Sequence, residues 1–100
     1  VWHISSPFDQ ERLKDAIQHF LGTHDFTSFS NEAHKGVAAR DPIRTIYRID
    51  IIQEEGGIAL EFEGDGFLYK MVRNIVGVLV DCATGKKDPQ EIPRIIQAKD

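Results

Sequence analysis

Apolar residues recur every three or four positions in three stretches of the chain, the spacing that places them on one face of an α-helix. The first stretch follows the candidate caps Ser6 and Asp9 and ends at Gly22. The longest begins after Gly66 and ends before Gly85. Its apolar stripe is Leu68, Met71, Val72, Ile75, Val76, Leu79, Cys82 and Ala83. The third follows Asp88-Pro89-Gln90-Glu91, a typical helix start, with Ile92, Ile95 and Ile96 as its buried side. The pattern predicts three amphipathic helices.

In the middle of the chain the side-chain pattern repeats every two residues instead. Residues 43–52 alternate and are rich in β-branched side chains, which predicts a strand. Alternation places Thr45, Tyr47, Ile49 and Ile51 on one face and Arg44, Ile46, Arg48 and Asp50 on the other. A turn at Glu54-Glu55-Gly56-Gly57 leads to a return strand with Ile58, Leu60 and Phe62 on one face. The chain is therefore predicted to be α+β, with an antiparallel sheet and helices packed on one face. Because two strands are marginal alone, we expect the others from the rest of a longer protein or from a partner.

The segment before the hairpin is irregular. Residues 24–30 are too short and too interrupted for a strand, and Phe26 and Phe29 are expected to share one side of a helical turn in the core. Residues 31–42 have no periodicity and carry Lys35 and Arg40. Two interpretations of this segment stay open: it contacts an RNA backbone, or it is a solvated loop without such a role.

Composition limits the class of protein. At 100 residues, 41% hydrophobic and 28% charged, the chain suits one small globular domain. It starts without methionine, so we expect a single domain, residues 1–100, from a longer protein. No apolar run approaches the roughly 20 residues of a membrane span. The single cysteine, Cys82, excludes an internal disulfide and fits a cytoplasmic location. The net charge of −4 argues against nucleic-acid binding, although residues 34–48 form a basic zone.

The start of the central helix carries two cations, Lys70 and Arg73, where the helix dipole favours acidic side chains. They are either ordinary solvated charges or part of a site for an anion such as a phosphate or carboxylate. In the basic zone, Arg44 and Arg48 have an alternative, purely structural explanation: they pair with Glu61 and Glu63 across the two strands.

Several runs together resemble a known family. They are GDGFLYKMVRNIVG at residues 64–77, HDFTSF at 24–29, Arg44-Thr45-Ile46, Gly85-Lys86 and Ala98-Lys99-Asp100. In this order, over nearly the whole chain, they resemble the carboxy-terminal half of the bacterial tRNA pseudouridine synthases of the TruA family.

This resemblance implies a pseudouridine-synthase-like half-domain from a cytoplasmic, homodimeric isomerase. The family converts uridine to pseudouridine in the anticodon stem-loop region of tRNA without a metal or cofactor. Its nucleophilic aspartate lies in the other half of the protein, so we expect this chain alone to be inactive. Arg73 matches the arginine that pairs with this aspartate. Phe67, Leu68 and Met71 are candidates for an apolar wall beside the flipped base, and Lys35, Arg40, Arg44 and Lys70 are candidate RNA contacts.

Two alternatives of other classes stay open, an RNA-binding module without chemistry and a dimerisation module. The signatures of the common RNA-binding folds are missing, which weakens the first. Salt-dependent binding of tRNA would separate the two.

Overall fold

The computed structural model describes residues 2–4, 8–29, 42–67 and 70–98, with residues 2–4 described by their backbone alone. The described residues form one four-stranded antiparallel sheet with the strand order β1-β4-β3-β2. The strands are β1 (Trp2–Ile4), β2 (Gly22–Asp25), β3 (Ile43–Glu54) and β4 (Gly57–Gly64). The α-helices are α1 (Gln10–Phe20), α2 (Met71–Ala83) and α3 (Ile92–Ala98), with short 3-10 helices at Thr27–Phe29 and Pro89–Glu91. Side chains from all three α-helices join one apolar core on one face of the sheet, which confirms the predicted α+β class.

Two strands of the sheet were not predicted as strands. Residues 22–25 pair with β3, so the expectation that residues 24–30 do not form a strand was wrong at His24 and Asp25. Residues 2–4 pair with β4 at the opposite edge. The chain itself therefore supplies the strands that we expected from elsewhere. Pairing overrides the weak β-propensity of the sequence Gly-Thr-His-Asp, since strand formation depends strongly on neighbouring strands.

A β-bulge corrects the predicted faces of β3. Between Ile46 and Arg48 the register with β4 shifts by one, which leaves Tyr47 as the extra residue. Ile46 and Ile49 are consequently both buried, at 1% and 7% exposure, although they are three positions apart. A bulge moves all following side chains to the other face. Arg44 therefore lies on the helix-covered face with Ile46, whereas Tyr47 is 59% exposed.

The first helix is fixed at its amino-terminal end. The Asp9 carboxylate accepts hydrogen bonds from the backbone N–H groups of Glu11 and Arg12, as expected of an N-cap. Its buried side is Leu13, Ala16, Ile17 and Phe20. The Arg12 guanidinium donates to the carbonyls of Cys82 and Lys87, both at 2.9 Å. These bonds satisfy acceptors at and beyond the carboxyl end of α2 and join α1 to it.

The helix start predicted at Asp88 is confirmed. The Asp88 carboxylate accepts from the Gln90 N–H at 2.9 Å, and Glu91 accepts from the Asp88 N–H at 3.0 Å. The Pro89–Glu91 turn is a 3-10 helix and continues into α3, which buries Ile92 and Ile96. This capping box fixes the direction in which α3 crosses the core.

Phe26 and Phe29 lie in the core, as predicted. Phe29 is at the end of the 3-10 turn, and its ring meets Phe20 edge-on at a centroid distance of 5.2 Å. Nε2 of His24 donates to the Leu21 carbonyl at 2.8 Å, and the Asp25 carboxylate accepts from the backbone N–H and the hydroxyl of Thr27. Both polar residues thus take part in local structural hydrogen bonds. No helix in the described part of the chain is long and apolar enough to cross a membrane.

We expect Cys82 to resist modification in the folded protein. Its side chain is buried, and this burial raises the pKa of the thiol, an effect that the nearby Arg12 guanidinium offsets only in part. Because the thiolate is the reactive form, labelling by a thiol reagent at pH 8 should be at least about tenfold slower in buffer than in denaturant. Equal rates would show that the central helix opens readily.

Candidate nucleic-acid interface

The junction between β4 and α2 is held tightly against the start of β3. Asp65 N–H donates to the Thr45 carbonyl at 3.0 Å, and Thr45 N–H donates to the Asp65 carboxylate at 2.9 Å. At Gly64, an added Cβ would lie 2.5 Å from the Thr45 carbonyl oxygen. The two backbones therefore approach closely because Gly64 has no side chain. Asp65 was not among the predicted site residues; its position directly after a strand, between two glycines, was the available signal.

Gly66 lies next to Arg44. Its φ of 136° is in a region that side-chain-bearing residues rarely adopt, and a Cβ there would be 3.3 Å from Nη1 of Arg44. Nε of Arg44 is buried and has no hydrogen-bond partner among the residues that the structure describes. Leaving a buried donor unpaired costs about 1–3 kcal/mol. The guanidinium is therefore placed at this junction with donor capacity left over.

The three candidates for an apolar wall have different positions. Phe67 is half-buried, and its ring meets Phe62 edge-on at 6.4 Å between centroids. Met71 is fully buried and belongs to the core. Leu68 lies outside the described residues. Of the two that the structure describes, Phe67 is the one that is not fully buried.

The helix α2 begins at a residue with unusual backbone geometry. Lys70, the N-cap, adopts the left-handed conformation with φ 59° and ψ 13°. For a residue with a side chain this costs about 1–2 kcal/mol. Lysine also has no acceptor atom, so its side chain cannot cap the first N–H groups of the helix. A strained cation therefore occupies the position that usually carries a capping oxygen.

Within the first turn of α2, Arg73 is exposed on the side away from the core. Its neighbour Asn74 donates from its side-chain amide to the Phe29 carbonyl at 2.8 Å, which ties α2 to the 3-10 turn. This bond helps to fix the rotation of the helix about its axis. The side of α2 that carries Arg73 is therefore set by the fold.

The two arginines of β3 differ in their ion pairs. Arg48 forms ion pairs with Glu63 at 2.9 Å and Asp50 at 3.2 Å, which confirms the cross-strand alternative for this residue. Arg44 has no ion pair within the described residues. Lys35 and Arg40 lie outside them. The structure thus places Arg44, Lys70 and Arg73 on or beside the β4–α2 junction and assigns Arg48 to the sheet.

Another surface feature is an open cleft of about 370 Å³ between α1, β2 and α3. Its lining includes His19, His24 and Ile96. Among the residues described, no group of three or more histidine, cysteine or acidic side chains could hold a metal ion.

Fold and site together define a small α+β domain that presents cations at a tight, glycine-dependent strand-to-helix junction. A profile of a family described as tRNA pseudouridine synthase matches residues 16–100. The tRNA pseudouridine synthase A 1 of Protochlamydia amoebophila is 60% identical over 98 residues, 98% of this chain and 38% of the relative. That of Bacillus velezensis, tRNA pseudouridine synthase A, is 38% identical over 100 residues, 100% of this chain and 39% of the relative.

A third relative, tRNA pseudouridine synthase A 1 of Bacillus cereus, is 42% identical over 96 residues, 96% of this chain and 38% of the relative. The chain belongs to the tRNA pseudouridine synthase family, which confirms the resemblance found in the sequence. It spans well under half of the length of these curated relatives.

Proposed function

We propose that the protein containing this chain isomerises uridine to pseudouridine in tRNA and that this chain is its carboxy-terminal half. Family membership supports the activity, and the share of the relatives that the chain covers supports a partial chain. The observation that carries the proposal is the β4–α2 junction, which fixes Arg73 on the exposed side of α2.

In this proposal the nucleophile is an aspartate from the remainder of the protein, and Arg73 pairs with it. A guanidinium can donate two parallel hydrogen bonds to a carboxylate, which holds the carboxylate in one orientation. A positive charge within a few ångströms also favours its ionised, nucleophilic form. Arg73 would therefore support attack on the nucleotide without itself forming a covalent bond.

The nucleotide must leave the base stack before this chemistry can occur. Phe67, with Leu68, would supply the apolar surface beside the extruded base, and buried Met71 would support that surface from behind. Lys70, Arg44, Lys35 and Arg40 would contact the RNA backbone, which positions the substrate without reading its sequence. The uridines are those of the anticodon stem-loop region, and the working enzyme is a cytoplasmic homodimer.

Release of tritium from tRNA labelled at C5 of its uridines tests the proposed activity, because isomerisation exchanges the hydrogen at this carbon. The full-length protein should release tritium, whereas the folded chain alone should release none. Release by the chain alone would place the nucleophile within it. No release by the full-length protein, despite tight and salt-dependent tRNA binding, would favour an RNA-binding module instead.

A further inference from the structure

We propose that Arg44 binds one backbone phosphate of the RNA substrate in a recess beside Gly66. This inference rests on the proposed function and deepens it, because it separates Arg44 from the exposed cations around it. Lys70 and Arg73 extend from the surface of the junction, whereas Arg44 is half-buried and is positioned by the sheet.

The sheet fixes where the Arg44 side chain starts. Arg44 pairs with His24 of β2, and the bulge at Tyr47 comes after it, so Arg44 shares the helix-covered face with Ile46. On the other side, Asp65 is joined to Thr45 by two hydrogen bonds. The guanidinium reaches the glycine-containing junction, where a Cβ on Gly66 would lie 3.3 Å from Nη1.

The other arginines that pack against described elements use their donors. Arg12 donates to two backbone carbonyls, and Arg48 pairs with two carboxylates. Among the described residues, Arg44 Nε is buried and has no hydrogen-bond partner, although a guanidinium offers five N–H donors. The donor that an acceptor from outside would meet is Nη1, which lies beside the space at Gly66.

The charges around the junction favour a phosphate of RNA as this acceptor. Gly66, beside Arg44, and the cation Lys70 are four residues apart, so their Cα atoms are at most about 14 Å apart. Arg73 follows within the first turn of α2. The carboxylate in the junction, Asp65, already accepts the Thr45 N–H. Several cations around one short turn suit a polyanion better than one carboxylate.

The opposite face of the sheet has a different character. Asp50, Glu61 and Glu63 follow the alternation on that side, where Arg48 is held by Asp50 and Glu63. This acidic surface repels RNA and directs it toward the junction. The absence of a side chain at Gly66 leaves space for an oxyanion to reach Arg44, since a Cβ would come within 3.3 Å of Nη1.

The salt dependence of tRNA binding tests the proposal in the full-length protein. An unmodified tRNA transcript is titrated at several salt concentrations between about 50 and 200 mM, and log Kd is plotted against log salt concentration. Arg44→Gln should weaken binding and reduce the slope by about 1, the contribution of one phosphate contact. Compared with Arg44→Gln, Arg44→Lys should recover most of the slope but less of the affinity. Lysine keeps the positive charge but lacks the planar guanidinium that donates two parallel hydrogen bonds.

Two matched controls separate this effect from general disturbance of the sheet. Arg48→Gln removes an arginine from the same strand but from the other face, and it should leave the slope unchanged. Gly66→Ala should weaken binding, whereas Gly56→Ala, also at a positive-φ glycine but with open space around it, should not. Combining Gly66→Ala with Arg44→Gln should add little further loss, because both changes affect one contact.

Unchanged Kd and slope for Arg44→Gln would overturn the proposal. Weaker binding with an unchanged slope would also overturn it, because the partner of Arg44 would then be something other than a phosphate. If Arg44→Gln does not fold, the same criteria apply to Gly66→Ala, which should weaken binding and lower the slope through the same contact. These outcomes concern Arg44 alone, whereas a wild-type protein that releases no tritium would refute the proposed activity.

Discussion

Replacement of Arg73 by lysine is expected to abolish most of the uridine isomerisation by the full-length protein. Lysine keeps the charge but cannot donate two parallel hydrogen bonds from a planar group. Loss of one hydrogen bond to a charged group costs about 1.5–3 kcal/mol, which corresponds to a decrease of roughly 10-fold to 150-fold in rate. Initial rates of tritium release from C5-labelled tRNA, at saturating tRNA, measure this decrease.

The control is Arg94→Lys, the same change at an exposed residue of α3. This variant should stay folded, since surface substitutions usually change the free energy of unfolding by less than about 0.5 kcal/mol. Because Arg94 is not among the proposed site residues, the rate should change by no more than about twofold. Because Arg73 is also exposed, its variant should unfold at the wild-type temperature. Near wild-type turnover by Arg73→Lys would remove Arg73 from the active site, whereas weaker tRNA binding with unchanged turnover would make it an RNA contact only.

The largest loss of stability from a small change is expected for Gly64→Ala. The added methyl group would lie 2.5 Å from the Thr45 carbonyl oxygen and 3.4 Å from the Ile46 Cα, so the backbone itself must move. Insertion of atoms into a packed site commonly costs about 1–3 kcal/mol, and a clash with backbone belongs at the upper end of this range. The midpoint of urea unfolding should decrease accordingly.

The matched variant is Gly77→Ala, in the exposed part of α2, where a Cβ meets nothing within 4 Å. It should stabilise the protein by about 1 kcal/mol, because alanine favours the helix more than glycine does. The two Gly→Ala changes are therefore expected to have opposite signs. A Gly64→Ala variant as stable as wild type would show that β3 and the junction are less closely joined than described.

Local signals in the sequence were sufficient to predict the helices. The stripe that includes Ile75 and Leu79 predicted the buried side of α2, and Asp88 with Glu91 predicted the start of the last helical segment. These features depend on residues three or four positions apart, so periodicity and capping chemistry are informative. The amphipathic and capping signals were confirmed for this reason.

Features that depend on distant residues were missed. The sequence of β2 gives no strand signal, and its extended conformation comes from pairing with β3. The bulge at Tyr47 reverses the faces predicted by strict alternation, and the spacing of Ile46 and Ile49 was its one local sign. The left-handed conformation of Lys70 likewise has no propensity signal, since lysine disfavours it.

The candidate site was predictable only in part. The charges of Lys70 and Arg73 at a helix start, together with the family resemblance, were the basis for proposing the junction as a candidate site. The burial of Arg44 Nε was not predictable, because it follows from the bulge, the register with β2 and the approach of Gly66. Met71, a candidate for the apolar wall, shows a second difficulty. An apolar residue near a site in the sequence can equally belong to the core, and Met71 is fully buried.

The strand order β1-β4-β3-β2 also has a consequence for how the domain folds. The two central strands are joined by a short turn, so their pairing closes a small loop, whereas Trp2 must find Leu60, 58 positions later in the sequence. Closing a longer loop costs more chain entropy. We therefore expect the hairpin to form first, and the amide hydrogens of β1 to exchange with solvent sooner than those of β3.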